Sequence, residues 1–424
     1  MPGVRPRQHA LLRWPKYALQ ASARPVESIY SCKARPSGGL MPSRSATSQN
    51  FELSSDRPKS RYARFLLWRN RLLRSATFQK WAARLPISQS IARQRATDLH
   101  HILAGFVYSQ TLSASYKLGL LECLKDRIAT LDEIADHCDL EKDAALTLIN
   151  AATAIDLLQK ASDIHWTLGE LGASIHGNPG VQSMLRHHDL LYQDMSDPAQ
   201  LLRYREHASL RGYWPYVDGD HSDPAAAARY SELMADSQHL IANHILDAIN
   251  LTAANRLLDV GGGTGTFARL AAERFTHTAT AVFDLPQVVA SIPPKHSHSL
   301  ESYAGDMFHD ALPNNFDTIS LVRILHDHDD APVEQLLSRC FDALPSGGQL
   351  IIAEPMAGTK SAESIGHTYF GFYLWAMGSG RPRTKSELTN MLKRAGFSGI
   401  RERKTHIPAL VRVITAKKPN VIFY

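Results

Sequence analysis

The chain has 424 residues, 44% of them apolar, with 47 Lys and Arg against 41 Asp and Glu and four cysteines. That length predicts about two to three domains, and the apolar share excludes a disordered or fibrous protein. No stretch approaches the roughly 18 consecutive apolar residues of a transmembrane helix, and Cys32, Cys123, Cys138 and Cys340 have neither CxxC nor zinc spacing, so a reducing cytoplasm is the expected compartment.

The net charge of +6 is unevenly spread: residues 1–100 hold 19 basic and 4 acidic side chains, and the remaining 324 hold 28 and 37. Residues 1–56 are Pro-, Ser- and Arg-rich without an apolar period, which predicts a disordered basic extension. An organelle transit peptide is compatible with that composition; an over-extended start, with Met41 as the first residue, is the simpler reading.

From 57 to 99 the pattern is basic and helical. Phe65, Leu66, Trp68, Leu72, Leu73, Phe78 and Trp81 are interleaved with Lys and Arg, and Pro86 is expected to divide the segment. Such an arm could pack on a partner subunit or lie on an anionic membrane.

Residues 100–182 read as a winged-helix-like module: a helix over Phe106 to Leu124, a Thr130/Glu133 capping box opening another, a third over Ala144 to Leu158, then a strand at Ile164 to Leu168. The third helix opens Glu141, Lys142, Asp143 and would repel phosphate, so dimerisation is expected of this module rather than DNA binding. Residues 183–250 are a helical, substrate-side region. There one long helix, Ala225 to Ile249, places Tyr230, Met234 and Gln238 on one face, a stripe that suits core or pocket.

From 251 onward strands and helices alternate. Strands are expected at Leu257 to Val260, Ala279 to Phe283, Asp317 to Arg323, Gln349 to Ala353 and Ala409 to Ile414. Helices are expected at Thr266 to Arg274, Pro286 to Ser291, Ala331 to Leu344 and Lys385 to Ala395. This is an α/β pattern with a parallel, doubly wound, Rossmann-like sheet whose ligands sit at the strands' carboxyl ends.

The run from Asp259 to Gly265 ends the first strand and opens a helix, its glycines letting backbone approach a ligand. Gly263, Gly265 and Ala268 also satisfy a dinucleotide fingerprint. The carboxylates Asp259 and Asp306 argue against an anionic pyrophosphate and for a cationic ligand. Asp284, placed to accept ribose hydroxyls, fits either nucleotide. Together they point to S-adenosylmethionine.

The segment from Leu325 to Asp330 closes the strand from Asp317 with His326, Asp327, His328 and Asp329. A His at a strand end over a cofactor is a candidate general base; a metal cluster and a polar capping loop are the other readings, and no metal is expected. His326, nearest the strand end, is the expected base.

The order and spacing of Leu258-Asp-Val-Gly-Gly-Gly-Thr-Gly265, Phe283-Asp-Leu-Pro286, Gly305-Asp-Met-Phe308, Arg323-Ile-Leu-His-Asp327 and Ala353-Glu-Pro355 resemble class I S-adenosylmethionine-dependent O-methyltransferases of the dimerising, winged-helix-plus-Rossmann type. A narrower resemblance, to O-methyltransferases of acyclic carotenoids in purple photosynthetic bacteria, rests on five stretches. They are Trp68-Arg-Asn-Arg-Leu-Leu73, Gly105-Phe-Val-Tyr-Ser-Gln110, Gly177-Asn-Pro-Gly-Val181, Glu354-Pro-Met-Ala-Gly-Thr359 and the run from Tyr369 to Thr384.

The resemblance implies methylation of a tertiary 1-hydroxyl on a lipophilic substrate by a homodimer. It implies cofactor contacts at Gly261, Asp284, Asp306 and Met307, a base at His326, and Glu354 buttressing it; the residues themselves add Asp259, Gly263 and Arg323 on the cofactor side and Asp327 or Glu354 to stabilise the imidazolium. Phe370, Tyr373 and Met377, with Tyr230 and Met234, are the expected substrate wall. The chain departs from plant phenol methyltransferases where their second hinge glutamate becomes Pro382, ahead of Arg383 and Thr384, which makes phenols less fitting substrates. The alternatives are a methyltransferase of smaller phenolic or polyketide substrates and a winged-helix DNA-binding regulator. No nucleic acid partner is expected. A cytoplasmic enzyme, peripheral at the inner membrane, completes the reading.

Overall fold

The computed structural model describes residues 60–213, 238–293, 300–360 and 362–420. The chain divides into two compact units, residues 1–92 and 93–424. The expected disordered extension at 1–56, Tyr230 and Met234 lie outside the described residues.

In the first unit the basic segment forms helices Arg61–Leu73 and Ala76–Ala82. An additional break falls at Ser75, whose side chain accepts a hydrogen bond from the Phe78 amide and caps the second helix. Pro86 divides the segment as expected, after the helix that ends at Ala82. It opens the 32-residue helix Pro86–Lys117, because the N–H it lacks has no partner in a first turn anyway. Position 99, the expected end of the arm, therefore falls inside a helix.

In the second unit, residues 118–176 are helical with a small three-stranded sheet of β1 (Ala129–Thr130), β3 (His165–Leu168) and β2 (Leu158–Ser162), in that order. The expected helix to Leu124 stops at Lys117; Gly119, at φ 72°, turns the chain before Leu120–Cys123. The capping box at Thr130 and Glu133 is present at the head of Leu131–Cys138. The third helix, Lys142–Ala154, ends earlier than expected, and Leu158 instead starts β2, the strand that pairs with β3. Leu120, Leu124, Ile134, Ile149, Leu158 and Trp166 form the core of this module. Lys142 at the start of the third helix is paired with Asp132 at 2.9 Å.

The large sheet has seven strands in the order β6-β5-β4-β7-β8-β10-β9. They are β4 (Arg256–Val260), β5 (Ala279–Asp284), β6 (Glu301–Ala304), β7 (Thr318–Val322), β8 (Gln349–Glu354), β9 (Ser398–Arg403) and β10 (Arg412–Lys417). All are parallel except β10, which runs antiparallel to both β8 and β9. Beyond the five expected strands the sheet has Glu301–Ala304, ahead of Asp306, at one edge and Ser398–Arg403 at the other, and it is not all parallel, because the last strand turns back between Ser398–Arg403 and β8. Strand order reverses between β4 and β7, and β4, β7 and β8 are almost wholly buried. Helices Asp330–Ala343 and Lys385–Arg394 seal Leu258, Ile319, Leu321, Leu336 and Ile352 in one core, and Thr266–Arg274 packs Phe267 and Ala271 into a second with Leu257, Val322, Ile351 and Ala353.

Candidate active site

The chemistry-bearing residues lie where the strand order reverses, at the carboxyl ends of β4, β5, β6, β7 and β8, the place where open α/β sheets bind ligands. From β4 the chain enters the glycine loop with Gly261, Gly263 and Gly265 all at positive φ. A Cβ at Gly261 would run into the Ile324 side chain, whereas one at Gly263 would meet nothing. The loop is held down by β5: the Gly263 amide donates to Asp284 Oδ2 at 2.7 Å and the Leu285 amide to Asp284 Oδ1 at 2.8 Å. Burial raises the Asp284 carboxyl despite those two amides.

Asp259 lies beneath the loop. Its Oδ1 accepts from the Ser320 hydroxyl at 2.6 Å, and its Oδ2 has no partner among the described residues. Burial, with Asp284 adding to it against the Ser320 bond, pushes this carboxyl up to about 7. A buried acid with an unmatched oxygen, beside a second acid and an open glycine backbone, fits a cationic nucleoside ligand with ribose hydroxyls to donate.

Asp306 follows β6 and is tied into its own turn, accepting from the Phe308 amide at 2.8 Å and facing His309 Nδ1 at 2.8 Å. Burial would raise it, but those bonds hold it below the ordinary carboxylate value. Met307 packs on the central core beside Phe308 and Ile324. Arg323 leaves β7 at φ 59°, its amide donating to the Ala353 carbonyl.

Next comes a single turn, Leu325–Asp327, all three residues buried. Glu354, the last residue of β8 and 3% exposed, organises it. Its Oε1 accepts from the amides of Ile324 and Leu325 at 3.0 and 2.7 Å, and its Oε2 pairs with His326 Nδ1. The other ring nitrogen, Nε2, is 3.2 Å from Asp327 Oδ1. So the structure brings His326, Asp327 and Glu354 together, while His328 turns away to pack edge-on against Phe308 and is driven down to about 4 by burial.

Sequence reasoning missed the strap that holds this turn from outside. Arg383, buried, donates to the carbonyl oxygens of Leu325 and of His328 and to Asp330 Oδ1. Arg381 bonds Asp330 with two nitrogens and reaches Glu387 at 2.7 Å. Gly380, at φ 82°, lies so close that a Cβ there would meet the His326 carbonyl and the Asp327 backbone. The signal available in sequence was the Gly-Arg-Pro-Arg-Thr run itself, two arginines around a proline ahead of a helix cap.

On the substrate side, Phe370 stands edge-on to His326 with ring centroids 6.4 Å apart. It opens the helix Phe370–Met377, which packs on Pro179–Asp194. Tyr373 pairs with His187 at 2.9 Å, and Tyr369 with His188 at 2.7 Å. Burial holds both imidazoles down, His187 to about 4. Tyr373 and Met377 are buried with Leu191, Leu201 and Leu210, so they form the body of this wall, whereas Phe370 is the residue beside the base. The His187–Tyr373 and His188–Tyr369 pairings carried no sequence signal, since each joins residues more than 180 apart.

Residues 196–398 match the O-methyltransferase domain family. The demethylspheroidene O-methyltransferase of Rhodobacter capsulatus is 39% identical over 337 residues, 79% of this chain and 85% of the relative. The chain belongs to the O-methyltransferase family. The enzyme of the same name from Cereibacter sphaeroides is 35% identical over 82% of this chain and 94% of its own length. Human N-acetylserotonin methyltransferase, solved with S-adenosylmethionine, has the same fold at a TM-score of 0.64 and 21% identity, over 77% of this chain and 98% of that one. A methyltransferase of calicheamicin biosynthesis, solved with S-adenosylhomocysteine, matches at a TM-score of 0.65 and 23% identity, over 76% and 98%. As a member of this family, the enzyme takes S-adenosylmethionine as its methyl donor.

Proposed function

We propose that the enzyme methylates the tertiary 1-hydroxyl of an acyclic carotenoid, with His326 as general base. The observation that carries the reading is the wall beside His326. There the Tyr373 and Tyr369 phenols pair with the His187 and His188 imidazoles, which burial pushes toward the neutral form, among Leu191, Leu201, Leu210, Phe370, Phe372 and Trp375. Such a wall favours an uncharged, apolar substrate. The identity to carotenoid methyltransferases supports the same reading.

S-adenosylmethionine, when bound, supplies a methyl group activated by its sulfonium. Asp284 and the glycine loop would hold its ribose, and Asp259 lies beneath that loop with a carboxylate oxygen unmatched. A tertiary alcohol is too weak an acid to ionise beforehand, so His326 accepts its proton as the new carbon–oxygen bond forms. Glu354 fixes the ring through Nδ1 and, with Asp327, steadies the imidazolium. Phe370 shields the alcohol from water and orients it, which is the larger part of the catalysis.

The enzyme works as a homodimer. Leu99, Ile102, Leu103, Phe106 and Val107 form an exposed apolar stripe at helical spacing on Pro86–Lys117, which a second copy covers. Peripheral association with the membrane gives it access to a lipid-dissolved substrate. The test is transfer of a labelled methyl group to a 1-hydroxycarotenoid and, side by side, to small phenols. Transfer to the carotenoid that is lost in His326→Ala while cofactor still binds is the expected result; preference for the phenols, or full activity in that variant, overturns it.

A further inference from the structure

We infer that the two short helices Arg61–Leu73 and Ala76–Ala82 are a docking surface for an anionic lipid bilayer. Residues 60–92 contain seven basic side chains, Arg61, Arg64, Arg69, Arg71, Arg74, Lys80 and Arg84, and not one Asp or Glu. An ordinary solvated helix face mixes both signs, because like charges at three- and four-residue spacing repel. Here Arg61 and Arg64, and Arg71 and Arg74, stand at such spacing with no counter-charge among the residues of this unit that the structure describes.

The apolar side chains among these cations are turned outward. Tyr62, Phe65, Trp68 and Trp81 are all more than half exposed, Trp68 at 57% and Trp81 at 61%, with Leu67 and Leu73 beside them. Phe65 and Trp68 touch each other, ring centroids 5.9 Å apart, rather than a core. No residue of either helix is buried. Around the second helix lies a groove of about 500 Å³ lined by Phe78 and Trp81, with Ser75 and Thr77 at one side and Lys80 and Arg84 at its rim.

The combination selects one occupant. Tryptophan and tyrosine favour the headgroup level of a bilayer, where ring and polar tip are both satisfied, and arginine stems lie along the apolar boundary while their heads meet lipid phosphate. Neither helix is long and apolar enough to cross a membrane, so the surface lies on the bilayer. Duplex nucleic acid would account for the cations but not for four outward aromatic rings and two leucines. A second copy of the same arm would bring cations against cations. Use of this surface to reach a carotenoid rests on the function proposed above; the docking itself rests on charge and exposure alone.

Full-length protein is mixed with vesicles of neutral phosphatidylcholine alone or with about one-third phosphatidylglycerol and floated on a density gradient. Flotation is expected with the anionic vesicles only and should fall with salt. Each cation near an anionic surface strengthens partitioning by about fivefold, so Arg64→Gln/Arg71→Gln/Arg74→Gln should weaken it by about 100-fold with mass by light scattering unchanged. Trp68→Ala/Trp81→Ala should weaken it at fixed charge.

Vesicle binding untouched by both sets of substitutions overturns the inference, as does a triple variant that dissociates the oligomer or loses duplex DNA binding instead. Methylation of detergent-dispersed 1-hydroxycarotenoid is measured in parallel. Wild-type protein that floats but never methylates the carotenoid refutes the substrate reading and leaves the docking standing. Protein that methylates in detergent and never floats does the reverse.

Discussion

The Nε2 nitrogen of His326 lies 3.2 Å from Oδ1 of Asp327, while its Nδ1 faces Glu354, so a carboxylate meets each side of the ring. An imidazolium donates to both; a neutral ring donates to one. Burial by itself would push His326 down, but Asp327 and then Glu354 outweigh it and raise the ring above its ordinary value. Burial carries Asp327 up to about 6 against the pull of His326. The groups titrate as a set, and a base must be neutral to work. The rate should therefore climb with pH through a midpoint above the usual histidine value of about 6.5. Asp327→Asn should move that limb to lower pH, and a pH profile of kcat/KM measures it. Stability runs the opposite way. A histidine raised on folding stabilises fully below its unfolded value, and that contribution is lost as pH rises through the folded one; wild type should thus lose more stability than His326→Gln between neutral and alkaline pH in urea melts.

Arg383 does not touch the reacting groups, yet it donates to the carbonyl oxygens on both sides of His326 and Asp327. Arg383→Gln should lower kcat by about 10- to 100-fold through misplacement of the base, leave cofactor affinity within about twofold, and cost about 1–3 kcal/mol of stability from the unmatched carbonyls. Arg383→Lys, lacking the planar fork, should recover only part of the rate. Steady-state kinetics with S-adenosylmethionine titration separates the two readouts, and loss of cofactor binding would remove this role.

Asp284 should govern donor affinity and nothing else. It holds the Gly263 amide, and the proposed function gives it the ribose of the donor. Asp284→Asn should weaken S-adenosylhomocysteine by at least about 10-fold, since a charge-assisted hydrogen bond contributes roughly 1.5–3 kcal/mol, whereas His326→Ala should leave that affinity unchanged in calorimetry. Gly261→Ala should weaken it too, because the added methyl drives into Ile324 at a backbone angle that disfavours side chains.

Leu103 and Phe106 lie at the middle of the exposed stripe on Pro86–Lys117, 63% and 70% accessible. Leu103→Glu/Phe106→Glu should convert dimer to monomer in light scattering while far-ultraviolet dichroism stays the same, because neither side chain supports the fold of its own subunit. An unchanged mass would place the dimer contact elsewhere.

Strands β4, β5, β7 and β8 and the helices between them were legible within one or two residues, because these buried parallel strands are mostly apolar and alternate with helix-forming segments. Ser398–Arg403 was not, since its Ser-Gly-Ile-Arg-Glu-Arg sequence carries one apolar residue and its side chains lie mostly exposed at a sheet edge. His326 was singled out by its place just past the strand from Asp317, and Glu354 only by the resemblance; the structure brings the two side chains together. The strap was not: which carbonyl oxygens Arg383 meets depends on the return of the chain to the turn, and no periodicity encodes that. The turn at Ser75 was hidden for a local reason, a serine cap between two basic helices where a proline eleven residues later drew attention.

The strap sets an order on the birth of activity. Arg383 is synthesised 58 residues after Leu325, the first carbonyl it grips, and β9 and β10, which complete the sheet beside Glu354, emerge later still. A nascent chain thus contains its glycine loop, Asp259, Asp284 and His326 well before the turn bearing that histidine can be fastened.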